Sequence, residues 1–468
     1  LSLSPRHASR AAAVALAAGA LLAAAVPAHA TATPAQIATS RTNGVAYLKT
    51  LQGVDGSYAS GGLSNEWAFS ALAAAGTAAA DVVPGSDPSK NARAVYRTQL
   101  AASSWPSASP VVTDYERAIL NSYAAGIDPA RIDAGRNLIA DLAAYWQTAE
   151  PGYWGPSGNF NGTVFGLLAL GGARTQAGGQ RVPQALLNAT AAAVRANQHN
   201  DGGWNFGKAA GNPTALAQAG DIDMTGAAMA SLCVAGVPKT DAAITNAVGF
   251  LKGKLNANGS FASLYGANTD SNGWAVSGLN ACGIDPQGAD FTSSTGKSPV
   301  DFLISQQFKP GGGFKYLPTD TSPSAYASVD GLRAVAGAGF TATPPTPVTA
   351  GAGTWAATGA FTAGTASRVA LTVDDGTGSL KVCAVTVTPT GATSTLGAVL
   401  DAAATATPSG CVTAVTPAAG SGVVTSLNGT ANAGGSSWKV SLDNGAAVAA
   451  DRSAVVHVGD TVSLRYGS

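Results

Sequence analysis

DIDMTGAAMASLCVAG, residues Asp221–Gly236, is the stretch whose reading decides the fold. Its acids stand only at the front, Gly236 closes it and Pro238 follows, and the remaining positions are small or apolar on every side. A surface helix would carry a polar stripe, so this one is expected to be buried all round. Asp221 and Asp223 fit its start as N-cap and first-turn carboxylates facing the positive end of the helix dipole. Versions of the segment recur along the chain at intervals of about fifty residues, the mark of a repeat architecture.

Working outward from it, each repeat reads as an outer helix, a Gly-rich loop and a buried inner helix. The first has Arg41–Leu51 outside, the loop QGVDGSY (Gln52–Tyr58), then the inner helix NEWAFSALAAAG (Asn65–Gly76). Further inner helices are read at Thr113–Pro129 and at Asn161–Gly172, the latter after the loop Pro151–Gly158. The opening stretch follows the loop QHNDGGW (Gln198–Trp204). The last two pair Leu255–Phe261 with Thr269–Pro286, and Gln307–Phe314 with Ser324–Gly339. Six such helices close into a ring, each between its neighbours and an outer partner. They run in one direction, so their N-termini gather at one mouth, with Glu66, Asp114, Asp223 and Asp270 at or near the starts. Asn161 stands at the third start instead. The loops bring Tyr58, Trp154, Trp204, Phe261 and Phe314. Aromatics around a few polar groups are the usual form of a small-molecule site.

Composition bounds the function. Residues 1–30 read as a secretory leader: Arg6 and Arg10 precede a short apolar run, Ala11 to Val26, and Ala28-His29-Ala30 fits a small-x-small cleavage site. Its removal leaves 24 basic against 26 acidic side chains, formally −2, with no basic cluster to suit nucleic acid or an anionic membrane. No membrane span is expected once the leader is gone. Charged residues are 11% of the chain, against about 25% in average globular proteins; Ala and Gly fill the difference and suit close helix packing. Export favours disulfides, and Cys233–Cys282 with Cys383–Cys411 is the economical pairing, free buried thiols being the alternative. No metal site is expected, since His199 and His457 are the only histidines after the leader and neither has cysteine spacing.

Beyond residue 340 the period changes. Residues 341–379 read as a Pro/Gly/Thr/Ala-rich linker with a further unassigned segment, and 380–468 as a β-rich domain. There Leu380–Pro389 alternates like a strand and Thr395–Ala403 reads as a short helix capped by Ser394 or Thr395. Gly422–Gly429 reads as another strand, Trp438–Val448 as a hairpin turning at Asn444-Gly445, and Ser453–Ser468 as two strands about a Gly-Asp turn.

The Q-x-x-x-G-x-aromatic loops at Gln52–Tyr58 and Gln198–Trp204 resemble the repeats of terpene cyclases and protein prenyltransferases. That resemblance implies a mostly α fold, an α6/α6 toroid of six helical hairpin repeats over 31–340, in which the loop glutamine and ring brace neighbouring helices. The acid motif of the triterpene cyclases, D-x-D-D-T-A, is matched by Asp221, Ile222, Asp223, Met224, Thr225 and Gly226. Met224 replaces the last carboxylate, which removes a neighbour that helps set the proton affinity of the central acid. Asp223, with Asp221 beside it, is the acid if the chain is an enzyme; as a cap it needs no catalysis. The prenyltransferase zinc set and the complement-type thioester are absent: His199 is the one histidine of the ring, and Cys282 lies in ACGIDPQ. Asp221–Thr225 and Asn268–Pro286 are also similar to a secreted bacterial family, with Gly226 and Asn272 departing from it. The order of elements in Leu380–Ser468 resembles the small β domain of the animal cobalamin carriers, intrinsic factor and transcobalamin. In those carriers the domain closes over the toroid mouth with the corrinoid between.

Together these features point to a secreted, non-catalytic binding protein that holds a small hydrophobic or corrinoid-type ligand between toroid and β domain and requires no cofactor. Ligand contacts are expected from Asp223, Asp270, Trp67, Tyr115, Trp204, Trp274, Trp438 and His199. For the aromatics the competing role is packing, and for His199 plain surface exposure. A terpene-cyclase-like enzyme and a structural or adhesive extracellular module are the alternatives.

Overall fold

The structure is a computed structural model that describes residues 31–58, 65–132, 135–175, 181–348, 360–406, 410–417, 419–420 and 422–468. The leader expected at 1–30 and the side chain of Glu66 lie outside the described part. Helices α1 (Pro34–Thr50), α2 (Asn65–Ala74), α3 (Ala92–Ala101), α4 (Val112–Ala125), α5 (Leu138–Ala143), α6 (Asn161–Thr175) and α7 (Gln184–Ala196) come first. After a short α8 (Pro213–Leu216) follow α9 (Ile222–Val234), α10 (Ala242–Gly253), α11 (Thr269–Ala281), α12 (Pro299–Ser305) and α13 (Ala325–Val335). Six of these pack in succession, α2 on α4, α4 on α6, α6 on α9, α9 on α11 and α11 on α13, and α13 packs back on α2. Outside them, α5 lies on α4, α7 on α6, α10 on α9, and α12 and α1 on α13.

The opening stretch behaves as its residues dictate. Asp221 caps α9, its side chain accepting from the Met224 N–H at 3.0 Å, and from Met224 to Leu232 every residue is buried. Small residues let the inner helices close in: a Cβ added to Gly226 would lie 2.4 Å from the Trp274 carbonyl oxygen. Cys233 and Cys282 join the C-terminal ends of α9 and α11 in a disulfide, with Cα atoms 5.2 Å apart.

The loops tie each repeat to the next. Gln198 donates through Nε2 to the Gly202 carbonyl at 2.9 Å and to that of Ala243, in the first turn of α10, at 2.8 Å. Gln307 does the same to Gly312 and to Ser40 of α1, so the last loop is fastened to the first helix. Each loop is also pinned to its own inner helix. The Trp204 N–H donates to Thr225 Oγ1, that of Phe261 to Asn272 Oδ1 and that of Phe314 to Ser328 Oγ, at 2.7 to 3.0 Å. Gly202 turns the chain at φ 90°, where a side chain would be strained and would meet the Asn246 carbonyl at 2.5 Å.

The C-terminal region is β-rich. Its elements are β1 (Ser367–Asp374), β2 (Leu380–Val387), β3 (Ser394–Thr395), α14 (Leu396–Thr405), β4 (Val415–Thr416), β5 (Ser426–Leu427) and β6 (Thr430–Ala431). Then come β7 (Ser437–Leu442), β8 (Val448–Ala449), β9 (Val455–Val456) and β10 (Thr461–Gly467). The main sheet runs β2-β1-β10-β7-β8, with β1 and β10 parallel. Thr395 caps α14, and Cys383 of β2 is disulfide-bonded to Cys411. Three details differ from the sequence-based expectation. β1 falls inside 341–379, because a central strand with six of its eight residues buried loses the alternation by which strands are recognised. Only Ser426–Leu427 of the Gly422–Gly429 segment pairs in a strand. The hairpin turns one residue early, with Asp443 (φ 47°) and Asn444 (φ 56°) in the left-handed region that Asn and Asp tolerate best after glycine.

The β-rich region leans on the flank of the helical ring. β1 and β2 pack on α5, and β2 also on α7, and Ala370, Leu380 and Val382 join the hydrophobic core of the helices. Arg131, in the turn after the C-terminus of α4, donates to the Val458 carbonyl at 2.9 Å and lies 3.6 Å from both Asp443 and Asp460. Arg131 and Arg181 both pair with Asp128, at 2.9 and 2.7 Å. These anchors sit at the end of the ring opposite the starts of the inner helices. The sheet thus lies along α5 and α7, with Ser367 and Arg368 at the start of β1 beside Tyr115 in the first turn of α4.

Candidate functional site

Two places gather chemistry. At the mouth, Asp223 in the first turn of α9, Asp270 in the first turn of α11 and Asp330 on α13 lie close together, near enough for Asp330 to raise the proton affinity of the other two. Burial pushes Asp223 up to about 7, with Asp221 and Asp330 adding to the rise and a hydrogen bond from Ser271 opposing it. Burial and the neighbouring carboxylates push Asp270 up as well, and burial does the same to Asp330. Oδ1 of Asp223 and of Asp270 accepts no hydrogen bond among the described residues. Asp330 is better provided, accepting from Trp274 Nε1 at 3.0 Å and from Arg333 Nη2 at 2.6 Å.

Next to the acids lies a cluster of aromatic rings. Phe165, Trp274 and Phe340 meet edge to face with centroids 5.3 to 6.3 Å apart, and Trp67 joins through Phe165 at 6.1 Å. The fully buried Arg333 lies 4.5 Å from the Phe340 ring centroid and 5.8 Å from that of Trp67, and also donates to Ser277 and Ser70. Asp330 and Arg333 are absent from the contacts expected from sequence, although charged groups on an inner helix of small and apolar residues are a legible signal.

The second place is a cleft of about 330 Å3 between the helical ring and the start of β1. Trp105, Tyr115, Arg136, Asn137 and Asp141 line the ring side, and Ser367 and Arg368 the sheet side. Tyr115 stands edge-on to Trp105, centroids 5.7 Å apart, and leans on Tyr145 at 5.5 Å. Arg368 Nη1 lies 2.8 Å from Asp141 Oδ1, which holds that carboxyl down against the stronger upward push of burial. Only Tyr115 of this set is among the expected contacts, because the cleft exists by virtue of a contact between segments more than two hundred residues apart.

The remaining expected contacts are placed elsewhere. Trp204 is fully buried and donates through Nε1 to the Val194 carbonyl at 2.8 Å. Trp438 is fully buried in the β-rich core, with Nε1 on the Thr430 carbonyl at 2.9 Å. His199 is 4% exposed, its Nδ1 2.8 Å from the Gln218 carbonyl oxygen. These three are corrected from ligand contacts to interior packing: both indole N–H groups and His199 Nδ1 meet backbone carbonyls, while His199 Nε2 is buried without a partner among the described residues. Trp67, Trp274, Asp223 and Asp270 do come together at the mouth. Among the described residues no group of three or more His, Cys, Asp or Glu is arranged to hold a metal, and no helix is long and apolar enough to cross a membrane.

This is a helical ring carrying a β-rich region, and several solved structures are similar to parts or most of it. No protein-family model matches the chain, and no curated protein matches its sequence. The type II terpene cyclase MstE from Scytonema, in its apo form, is similar at 14% identity and a TM-score of 0.43, over 64% of this chain and 98% of that one. Haptocorrin in complex with Cbi is similar at 14% identity and a TM-score of 0.35, over 92% of this chain and 97% of that one. The ent-copalyl diphosphate synthase from Streptomyces platensis is similar at 17% identity and a TM-score of 0.39, over 58% of this chain and 48% of that one. These likenesses concern the fold, and the chemistry of the site rests on this chain's own residues.

Proposed function

We propose that this chain is a secreted, non-catalytic small-molecule-binding protein, an α6/α6 toroid of six helical hairpin repeats with a β-rich domain on its flank. The ligand enters the cleft between the two. The observation that carries this reading is the cleft itself, where aromatic walls from the ring and polar groups from both sides converge in a volume suited to a small ligand. Its charged lining favours a polar ligand over the purely hydrophobic one expected from the sequence. Mass spectrometry of small molecules released from protein purified out of native culture fluid tests the reading. A reproducible bound compound supports it, and a clean apo protein that gives no binding signal in a metabolite screen defeats it. Corrinoid absorbance retained on the desalted protein after mixing with cobalamin tests the corrinoid expectation separately.

A second reading has its own support. Asp223, pushed up to about 7 by burial beside Asp270 and Asp330, has the proton affinity of a general acid. It predicts that the protein cyclises a polyunsaturated isoprenoid and that Asp223→Asn abolishes turnover. Unchanged substrate after incubation with the wild-type protein removes it.

A further inference from the structure

The lining of the cleft also bears on which ligand it takes, an inference that rests on the cleft being a binding site. The walls carry two guanidinium groups against one carboxylate. Arg368 and Asp141 face each other at 2.8 Å and largely neutralise one another. Arg136 has no carboxylate within ion-pair distance among the described residues. Its Nη1 donates to the Trp105 carbonyl at 2.7 Å and its guanidinium lies 5.4 Å from the centroid of the Trp105 ring. Among the described residues the two guanidinium groups therefore share one carboxylate, Asp141, which leaves a net positive charge in the cleft.

A second observation points the same way. Asn137 is 1% exposed and lines the cleft. As the N-cap of α5 its Oδ1 accepts from the Ala140 N–H at 3.0 Å. That bond fixes the amide, and its Nδ2 is left buried with no acceptor among the described residues. A buried amide donor without a partner is costly, and natural proteins rarely leave one so unless something else supplies the acceptor. A cationic ligand would meet Arg136 as a like charge. A wholly apolar one would strip water from Arg136 and leave Asn137 Nδ2 without an acceptor.

We propose that the cleft selects a flat organic anion, an aromatic or similarly planar ring bearing a carboxylate or comparable oxyanion. The oxyanion takes hydrogen bonds from Arg136 and Asn137 Nδ2, and the ring lies along Trp105 and Tyr115. Arg368 adds to the attraction as Asp141 shares its partner with the incoming anion.

Calorimetric titration of the full chain with 2-naphthoate, 2-naphthamide and 2-naphthylmethylamine tests this at fixed shape and changing charge. Naphthoate is expected to bind about tenfold or more tighter than the amide, the yield of one charge-assisted hydrogen bond, with the cation weakest. Asn137→Asp keeps the capping oxygen and turns the free donor into a like charge, so naphthoate binding falls by at least the same factor while the naphthamide value holds. Arg136→Gln lowers naphthoate affinity similarly, and Arg368→Gln, at a more exposed position, repeats the test should the Arg136 variant melt early. Equal or tighter binding of the amide overturns the charge selection and leaves a cleft ligand standing. If none of the three binds, the selection also fails, and the bound-ligand analysis of the purified protein judges the binding reading on its own.

Discussion

Glu116 is fully buried on α4, and neither of its carboxylate oxygens accepts a hydrogen bond among the described residues. Burial raises its proton affinity well above that of an ordinary glutamate, with Arg117 pulling weakly the other way. Asp223 is raised for the same first reason. Each of these groups holds a proton in the folded chain that it loses in the unfolded chain above about pH 4. The folded state therefore binds more protons, and its stability falls as pH rises through that window, for Asp223 up to about 7. Melting curves at pH 5 and pH 8 are expected to show the protein less stable at the higher pH on account of these groups. Glu116→Gln and Asp223→Asn should each flatten that difference. An unchanged pH profile in Glu116→Gln would mean that the carboxyl finds a partner when folded. The sequence offered a hint, since Glu116 is one of three glutamates and sits in an otherwise inward-looking helix. Burial of both oxygens, however, is a matter of what α6 places opposite: Gly162 and Gly166, whose missing side chains make the room.

Among the elements, the pairing of α9 with α11 depends on glycine. A methyl group on Gly226 would be driven against the Trp274 backbone, and one on Gly278 against that of Gly226, at 2.4 and 2.5 Å. Gly226→Ala should cost about 1–3 kcal/mol or more through forced separation of the two helices. In α10, by contrast, a Cβ on Gly249 meets nothing within 4 Å. Gly249→Ala should stabilise by about 0.4–1 kcal/mol, since the unfolded chain loses freedom and the helix gains a better former. Urea denaturation of the two variants checks both signs, and a neutral Gly226→Ala would show that the helices have slack. Inner-helix spans, caps and loops could be read from the chain because they rest on local chemistry: a cap at Asp221, a turn at Gly202, a run without a polar face.

For the whole molecule, the joint between ring and β-rich region is an ionic one with little water. The Asp128, Arg131, Arg181 and Asp460 side chains are each no more than 10% exposed. Removing one partner from such a set leaves buried charges unpaired, so Arg131→Ala should cost about 3–5 kcal/mol. We expect it to separate a single unfolding transition into two as the β-rich region comes away first, followed by near- and far-ultraviolet circular dichroism in denaturant. One coincident transition with the wild-type midpoint would mean that the apolar contacts of Ala370, Leu380 and Val382 hold the joint alone.

The chain by itself determined the spans of its inner helices and their caps, for each depends on residues near in sequence, while the bonding of its cysteines, left open by the sequence, came with the structure. Where the β-rich region docks, that Arg333 is buried against the rings of Phe340 and Trp67, and that Arg136, Asn137 and Arg368 share a cleft were decided by tertiary structure alone. Those facts depend on which surfaces meet after folding, and the free energy of that meeting belongs to pairs of distant segments, such as Asp141 with Arg368, that no local pattern records.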